Sequence, residues 1–340
     1  MKKNTSSHIT INEFEKILKT ADKSAFITYF EKSTELTKRN FGKNIVIYNP
    51  VYISSCCINN CEYCSYKNME NDGKILSTEE IKSEYNWLCK MGLKNVLIVS
   101  GQTGKETDLI NQSIKIGRDF FDSISIEVGT YTKPELEEFV KNGADGFVLY
   151  QETYHRDSYK KYHKSGIKSD YNLRIKSHDM AAQSGFLRLG AGVLLGLYDY
   201  IYEACELFFH IDYLYSKYPG VEITLSLPRI VKAETSFTST YSVSDFEYLR
   251  IITAFRIAFP HMPIYLSTRE KPELRNILIQ CGITHMSAGA KTSPGAYSIQ
   301  NGNTQTQFEV SDKRDMEIII EEIKKQGYNP VFKNWDKGFL

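Results

Sequence analysis

Eight short apolar segments, separated by helical segments, constrain the fold of this chain more than any other feature. Each has roughly four to eight residues, a length typical of a strand that is buried on both faces. Because strands and helices alternate along the whole chain, the pattern predicts an α/β fold, a parallel (β/α)8 TIM-type barrel rather than an open sheet. The predicted strands are Val51–Ser54, Asn95–Ser100, Ser123–Val128, Gly146–Tyr150, Phe186–Gly192, Val221–Leu227, Pro263–Thr268 and Thr284–Ala288.

Residues that satisfy free backbone groups mark the helices between these strands. In a capping box, a Ser or Thr before the helix and a Glu three residues later bond each other's backbone amides. A glycine after a helix can provide its left-handed C-terminal cap. The predicted capping boxes are Ser77 with Glu80, Thr132 with Glu135 and Ser244 with Glu247, and the predicted caps are Gly92, Gly143, Gly185 and Gly282.

The barrel is predicted to occupy residues 46–298, with one further segment on either side. Residues 1–45 are predicted to form an N-terminal helical segment, because Thr10 and Glu13 fit a capping box before an amphipathic stretch. Residues 299–340 are predicted to form a C-terminal tail that packs on the barrel and contains a helix near Lys313–Gln326. No low-complexity linker divides the 340 residues into separate domains.

Three closely spaced cysteines indicate a site for a soft metal or an iron–sulfur cluster. Cys57, Cys61 and Cys64 follow the first predicted strand with the spacing C-x3-C-x2-C, and thiolates are the ligands that such centres prefer. A structural zinc site would need a fourth Cys or His at short spacing, and the next histidine is His155. A disulfide framework does not suit a long chain with an odd number of cysteines, 7 in all.

Three thiolate ligands leave one iron of a four-iron cluster open, which favours a 4Fe–4S cluster that binds S-adenosylmethionine (SAM). The open iron can chelate the amino and carboxylate groups of SAM, and Tyr63, next to Cys64, can cover the adenine. This spacing is the signature of radical SAM enzymes, so a 4Fe–4S cluster and SAM are the expected cofactors. Cys56 falls outside the spacing and is not expected to bind the cluster.

The charge balance and the hydropathy of the chain exclude two classes of partner. Lys and Arg total 42 against 41 Asp and Glu, a net charge of +1, which provides no basic surface for nucleic acid or an acidic membrane. Apolar stretches such as residues 193–197 are far too short to span a bilayer. No apolar segment of a secretory signal follows the first residues. The protein is therefore expected to be cytoplasmic.

Candidate site residues recur at or near the ends of the predicted strands. In a parallel barrel the active site lies at the C-terminal ends of the strands, so these residues are expected to converge. Taken singly, an arginine at such a place could equally form a surface ion pair, and a glycine could serve only the turn. The candidates are Gly101, Gln102, Glu127, Glu152, Arg174, Leu197, Arg229, Arg269 and Ser287.

Several longer motifs resemble the aromatic amino acid lyase branch of radical SAM enzymes, and in particular its 2-iminoacetate synthases, the tyrosine lyases of thiazole biosynthesis. They occur in the order typical of that family, from about residue 45 onward. At two positions the chain departs from the family pattern, with Gln102 in place of glutamate and Asn334 in place of aspartate. The motifs are Tyr150–His155, Tyr162-His163-x-x-Gly166, Leu266–Glu270, Met286–Gly289, Thr292-x-Pro294-Gly295 and Pro330–Asp336.

The resemblance implies a reaction and a role for each candidate residue. A radical derived from SAM would take hydrogen from the amino group of L-tyrosine, and the Cα–Cβ bond would break to give p-cresol and 2-iminoacetate for thiamine biosynthesis. Arg269 is expected to clamp the substrate carboxylate, because a guanidinium fork fits that planar anion. The other implied substrate residues are Tyr52, Arg229 and Ser287, and the implied SAM residues are Tyr63, Gly101, Gln102, Glu127, Glu152, Arg174 and Leu197.

The resemblance also implies partners and leaves alternatives open. The implied partners are L-tyrosine as substrate, a thiazole synthase in complex, and a flavodoxin- or ferredoxin-type reductant, with no nucleic acid and no membrane. One alternative is a tryptophan lyase, whose substrate is bulkier. A hydrogenase maturase would carry a second cysteine-rich cluster, and no cysteine follows Cys281. A non-catalytic iron–sulfur assembly partner would not need a substrate clamp such as Arg269 with Ser287.

Overall fold

A parallel β-sheet of ten strands lies at the centre of the computed structural model, which describes residues 6–231, 233, 235–298 and 305–333. The strands are β1 (Asn44–Tyr48), β2 (Pro50–Ser54), β3 (Asn95–Ser100), β4 (Ser123–Glu127), β5 (Gly146–Val148), β6 (Arg188–Gly192), β7 (Glu222–Ser226), β8 (Ile264–Leu266), β9 (His285–Ser287) and β10 (Asn329–Val331). Their order in the sheet is β10-β1-β9-β8-β7-β6-β5-β4-β3-β2. The predicted α/β architecture is confirmed.

Helices connect the strands and cover the outer face of the sheet. Within the described ranges they are α1 (Ile11–Leu18), α2 (Lys23–Phe41), α3 (Thr78–Lys90), α4 (Thr107–Gly117), α5 (Lys133–Asn142), α6 (Arg156–Tyr162), α7 (Tyr171–Gln183), α8 (Tyr200–Lys217), α9 (Asp245–Ala258), α10 (Pro272–Leu278) and α11 (Met316–Lys325), with a 3-10 turn at Ile167–Ser169. None of these helices is long and apolar enough to cross a membrane.

The eight predicted strands correspond to β2 to β9, and the sequence analysis does not predict β1 and β10. β1 runs almost directly into β2, so the predicted first strand is the second half of a longer strand that Asn49 divides. β10 has only three residues, one of which is Pro330, so no periodic pattern can identify it. The predicted capping boxes at Thr10, Ser77, Thr132 and Ser244 are all present.

Asn49 brings the two ends of the curled sheet together. β1 pairs with β9, whereas β2 pairs with β3 at the other end of the sheet. Between them, Asn49 Nδ2 donates a hydrogen bond to the carbonyl of Ala288 (2.8 Å), and Asn49 Oδ1 accepts one from the Ala288 N–H (3.0 Å). The side chain therefore continues the strand pairing where the backbone changes partners. The resulting curl arranges the C-terminal strand ends around one opening.

Residues of the C-terminal tail lie across this opening. The backbone N–H groups of Ser311 and Asp312 donate to the carbonyl of Thr268 just after β8, at 3.0 and 3.1 Å. The Asp312 carboxylate pairs with Arg275 of α10, and both side chains are fully buried. Because a buried ion is costly without its partner, this pair fixes the tail to the barrel. The predicted tail helix is α11, and the predicted motif residues from Asn334 to Asp336 lie outside the described residues.

Candidate active site

An open cavity lies at the C-terminal ends of the strands. Its wall combines the cysteine loop after β2, the ends of β3, β4 and β5, the start of α7 and the tail. The structure therefore brings together residues from distant parts of the chain. The predicted site residues that line it are Cys57, Cys61, Cys64, Tyr63, Gly101, Gln102, Glu127, Glu152, Arg174 and Arg269.

The cysteine loop is held on one side by the end of β3. The N–H of Ile58 donates to the carbonyl of Gln102 (2.9 Å), and the N–H of Gly101 donates to the carbonyl of Ser54 (2.9 Å). A Cβ on Gly101 would overlap the carbonyl oxygen of Cys56. Only glycine therefore allows the loop to lie this close to the strand end.

A second segment, residues 162–168, holds the loop on its other side. Asn60 and residues 164–165 exchange backbone hydrogen bonds of 3.1 Å, and the N–H of Glu62 donates to the carbonyl of Tyr162 (3.0 Å). Gly166 has a φ of +88°, and a Cβ there would lie 2.7 Å from the Cα of Asn59. The motif Tyr162-His163-x-x-Gly166 is thus a docking strip for the cysteine loop.

Tyr63 is fixed by His163 of this docking strip. His163 Nδ1 lies 2.8 Å from the carbonyl of Tyr159, so it carries the proton, and Nε2 accepts a hydrogen bond of 2.7 Å from the Tyr63 hydroxyl. Burial lowers the pKa of His163 to about 3, so the ring is neutral at pH 7. The bond from His163 to Tyr159 fixes the imidazole ring, and the bond from Tyr63 to His163 in turn fixes the Tyr63 ring at the cavity wall.

Glu152 lies between two cations on the wall that faces the cysteine loop. Its Oε1 accepts hydrogen bonds from Lys168 Nζ (2.6 Å) and Arg174 Nη2 (3.1 Å). Although burial opposes ionisation, Lys168 and Arg174 lower the pKa of Glu152, so it carries a charge. Its backbone has a φ of +70°, which is uncommon for a residue with a side chain and is typical of functional sites.

Gln102 and Glu127 form the floor next to these groups. Gln102 Nε2 donates to the carbonyl of Thr130 (2.7 Å), which leaves the side-chain carbonyl as an acceptor. Burial, followed by the nearby Glu152 carboxylate, raises the pKa of Glu127 to about 7, although Arg269 opposes the shift. The cavity thus contains one carboxyl group that is ionised at neutral pH and one that titrates near it.

Arg269 lies on the opposite side of the cavity, against the tail. Its guanidinium carbon is 3.4 Å from the centre of the Phe308 ring, a cation–π contact. Among the residues that the structure describes, Arg269 forms no salt bridge. Near it, the Tyr52 hydroxyl donates to Gln307 Oε1 (2.8 Å). Within the described part of the chain, Arg269 is therefore a positioned cation whose charge no carboxylate pairs directly.

Comparisons with known proteins assign this geometry to a family. Residues 51–209 match the Radical SAM superfamily, and residues 226–329 match the Biotin and Thiamin Synthesis associated domain. The 2-iminoacetate synthase of Escherichia coli is 30% identical over 336 residues, which cover 97% of this chain and 89% of that protein. The chain belongs to the radical SAM aromatic amino acid lyase family.

Two solved structures share this fold. The crystal structure of HydG, a maturase of the [FeFe]-hydrogenase, superposes on this chain with a TM-score of 0.90 and 33% identity. The match covers 95% of this chain and 73% of that one. Methylornithine synthase (PylB) shares the fold, with a TM-score of 0.76 and 20% identity over 95% of this chain and 94% of its own. The radical SAM lyase uses a 4Fe–4S cluster and SAM, as its superfamily does.

The three cysteines fit such a cluster. All three are free thiols on one cavity. In the described ranges, no three His, Cys, Asp or Glu side chains converge closely enough to hold a single metal ion, whereas a four-iron cluster presents a separate iron to each thiolate. Burial raises the pKa of Cys61 to about 12 and also raises that of Cys64. These thiols are therefore protonated without metal and would ionise on binding it.

Four of the predicted site residues, Tyr52, Leu197, Arg229 and Ser287, do not line this cavity. Leu197 is fully buried in a cluster with Tyr162 and Leu194, and Tyr63 packs against this cluster. Tyr52 does not line the cavity itself, but its hydroxyl donates a hydrogen bond to Gln307, which does. Arg229 points to the other side of its strand end, where it pairs with Glu270 and with Asp245 (2.8 Å). Ser287 lies in β9, in register with Tyr48 of β1.

Sequence reasoning missed several residues of the cavity wall. Lys168 follows the docking strip and is separated from every predicted strand, so only the contact with Glu152 identifies it. Gln307 and Phe308 come from the tail. Asn59 lies between the predicted ligands, and its Nδ2 approaches Cys57 Sγ at 3.4 Å. The spacing of the cysteines could have drawn attention to Asn59, but nothing local indicates the other three.

Substitution of Gly166 by alanine is expected to loosen the cysteine loop. The new Cβ would meet Asn59 and would also strain the left-handed backbone, so we expect a loss of about 1–3 kcal/mol of folding stability and weaker iron retention. Thermal unfolding and the iron content after anaerobic reconstitution measure both effects. Gly220→Ala is the control, because a Cβ at Gly220 would have no other atom within 4 Å and its φ is not left-handed. Equal behaviour of both variants would contradict the docking role of Gly166.

Proposed function

We propose that this radical SAM lyase cleaves the Cα–Cβ bond of L-tyrosine. The products would be 2-iminoacetate and p-cresol, with 5′-deoxyadenosine and methionine from SAM, and 2-iminoacetate would supply thiazole and thiamine biosynthesis. The atoms of tyrosine are divided between its two products, so the two electrons and one proton that the net reaction consumes balance the conversion of SAM to 5′-deoxyadenosine and methionine. One electron would cleave SAM, and the second, with the proton, would convert the aromatic fragment of tyrosine to p-cresol. The name of the Escherichia coli relative, 2-iminoacetate synthase, supports this product, and its match covers 97% of the chain.

Cys57, Cys61 and Cys64 would hold the cluster, and the wall next to them would hold SAM. When bound, the cluster and SAM supply the electron transfer and the hydrogen-abstracting radical. The protein's part is to place the reactants and to shield them from water. Gly101 keeps the cysteine loop at the strand end, and Tyr63 is held ready to cover the adenine. The polar groups proposed to contact SAM are Gln102, Glu127, Glu152 and Arg174, with Leu197 supporting Tyr63 from behind.

The single observation that carries the substrate assignment is the position of Arg269. Its guanidinium is fixed against Phe308, has no salt-bridge partner among the described residues, and faces the same cavity as the three cysteines. A free guanidinium fork in a partly buried cavity suits the carboxylate of an amino acid. Tyr52 would orient the substrate through Gln307, while Arg229 and Ser287 would support the strand ends that carry this wall.

An anaerobic assay with the reconstituted enzyme tests this function. With SAM, a one-electron reductant and L-tyrosine, we expect p-cresol and 5′-deoxyadenosine together, and glyoxylate as the hydrolysis product of 2-iminoacetate. L-Tryptophan is supplied in a parallel reaction, and mass spectrometry identifies the products. Products from tryptophan alone would identify a tryptophan lyase. Absence of SAM cleavage with either amino acid would identify a non-catalytic protein.

The proposed product suggests a complex with a thiazole synthase. 2-Iminoacetate hydrolyses in water, so direct transfer to the enzyme that consumes it would protect it. We expect the two proteins to purify together under anaerobic conditions, and a flavodoxin- or ferredoxin-type protein to provide the electrons. Release of all the product as glyoxylate in the presence of thiazole synthase, without detectable contact, would contradict the complex.

A further inference from the structure

Two cations share one carboxylate on the SAM side of the cavity, next to Glu127, whose raised pKa of about 7 leaves it only partly ionised at neutral pH. Lys168 and Arg174 both bond the same oxygen of Glu152, so this group of three side chains carries one net positive charge. No other carboxylate forms a salt bridge with either cation among the described residues. A largely buried excess charge of this kind calls for an anionic group from a ligand.

Lys168 is freer than Arg174 to bind that anion. Arg174 is held at two points, by Glu152 and by the carbonyl of Tyr150 (2.7 Å from Nε), and its side chain is 5% exposed. Lys168 Nζ bonds only Glu152 in the described structure, and its side chain is 17% exposed. An ammonium group has three N–H donors, so two remain for a ligand in the cavity.

The backbone of Lys168 is tied directly to the cysteine loop. Its N–H donates to Asn59 Oδ1 (2.7 Å), and Asn59 Nδ2 reaches Cys57 Sγ. Lys168 Nζ also lies 5.5 Å from the centre of the Tyr63 ring. The ammonium group is therefore placed among the three groups proposed to surround SAM, namely the cluster ligands, Tyr63 and Glu152.

Among the described residues, Lys168 and Arg269 are cations of the cavity wall that can still bind a ligand, and the two expected ligands each bring one carboxylate. Lys168 lies on the side of the cysteine loop, and Arg269 lies on the side of the tail. We propose that Lys168 binds the carboxylate of SAM while Arg269 binds the carboxylate of the amino acid substrate. This division rests on the proposed function, since it assumes that an amino acid and SAM occupy the cavity together.

Reciprocal binding measurements on two variants test the division. Lys168→Met removes the ammonium group but leaves Arg174 to neutralise Glu152, and Arg269→Met removes the other cation. On the cluster-loaded protein, equilibrium dialysis gives the dissociation constant of SAM, and of tyrosine at saturating SAM. We expect Lys168→Met to weaken SAM binding about ten- to hundredfold with little change for tyrosine, and Arg269→Met to show the reverse. Lys168→Arg should recover part of the SAM affinity.

Lys164→Met is the matched control for Lys168→Met. Lys164 belongs to the same segment but forms an exposed ion pair with Glu62, so its loss should change neither affinity. Unchanged SAM affinity in Lys168→Met with a full iron content would overturn the proposal and leave Lys168 as a counter-ion of Glu152. Parallel loss of iron and SAM binding would also overturn it, because Lys168 would then only support the loop. If wild-type protein binds SAM normally but not tyrosine, the tyrosine function fails while the assignment of Lys168 to SAM stands.

Discussion

Replacement of Cys57, Cys61 or Cys64 by alanine is expected to abolish SAM cleavage. Each change would remove one of the three thiolates proposed to bind the cluster, and in the described ranges no further His, Cys, Asp or Glu group completes a metal site. Iron content and the absorption of the reconstituted protein should fall sharply, and 5′-deoxyadenosine should become undetectable. Folding should be largely kept, since the cysteine loop is held by backbone hydrogen bonds on both sides.

Cys56→Ala is the matched control for the three ligand variants. Cys56 is the immediate neighbour of Cys57 and is buried, but it does not line the cavity. Its backbone carbonyl packs against Gly101, and an alanine would preserve that contact. Iron and SAM cleavage should therefore remain near the wild-type level. Loss of iron in Cys56→Ala together with retention in Cys57→Ala would show that the ligand register is wrong.

The strands of the barrel could be predicted because their signals are local. A short apolar run that follows a capped helix and its terminal glycine, such as Asn95–Ser100 after α3 and Gly92, has a strand signal of its own. β1 was missed for the opposite reason. Its sequence, Asn44–Tyr48, is apolar enough, but whether it joins β2 as one strand or pairs with different neighbours depends on Asn49 and on Ala288, far away in the sequence.

The placement of candidate residues at the cavity could be predicted to the same extent. Residues at strand ends, such as Gln102 and Glu152, follow from the rule that parallel strands share one functional edge. Lys168 and Phe308 do not, because they reach the cavity from segments whose packing is decided by tertiary contacts.

The two strand-end arginines show the limit of this reasoning most clearly. Arg229 and Arg269 each follow a strand, β7 and β8, and have similar sequence surroundings. In the structure, Glu270 pairs with Arg229, whereas Arg269 faces the cavity. The sequence rule places both arginines at the same edge of the sheet, but only the fold determines which of them has a carboxylate partner within the protein.

Arg269→Lys should strongly reduce tyrosine turnover, whereas Arg229→Lys should act mainly on stability. Lysine keeps the charge of Arg269 but cannot form two parallel hydrogen bonds with a carboxylate. We expect a loss of about 2–5 kcal/mol in substrate capture, at least about thirtyfold in kcat/KM. SAM binding should change little, and slow formation of 5′-deoxyadenosine without p-cresol should persist.

Arg229→Lys instead weakens the contacts with Glu270 and Asp245, which a lowered unfolding temperature would reveal. Anaerobic kinetics on both variants, with p-cresol and 5′-deoxyadenosine measured separately, make the comparison. Wild-type turnover in Arg269→Lys would refute the clamp, and a larger kinetic defect in Arg229→Lys would assign the substrate carboxylate to Arg229.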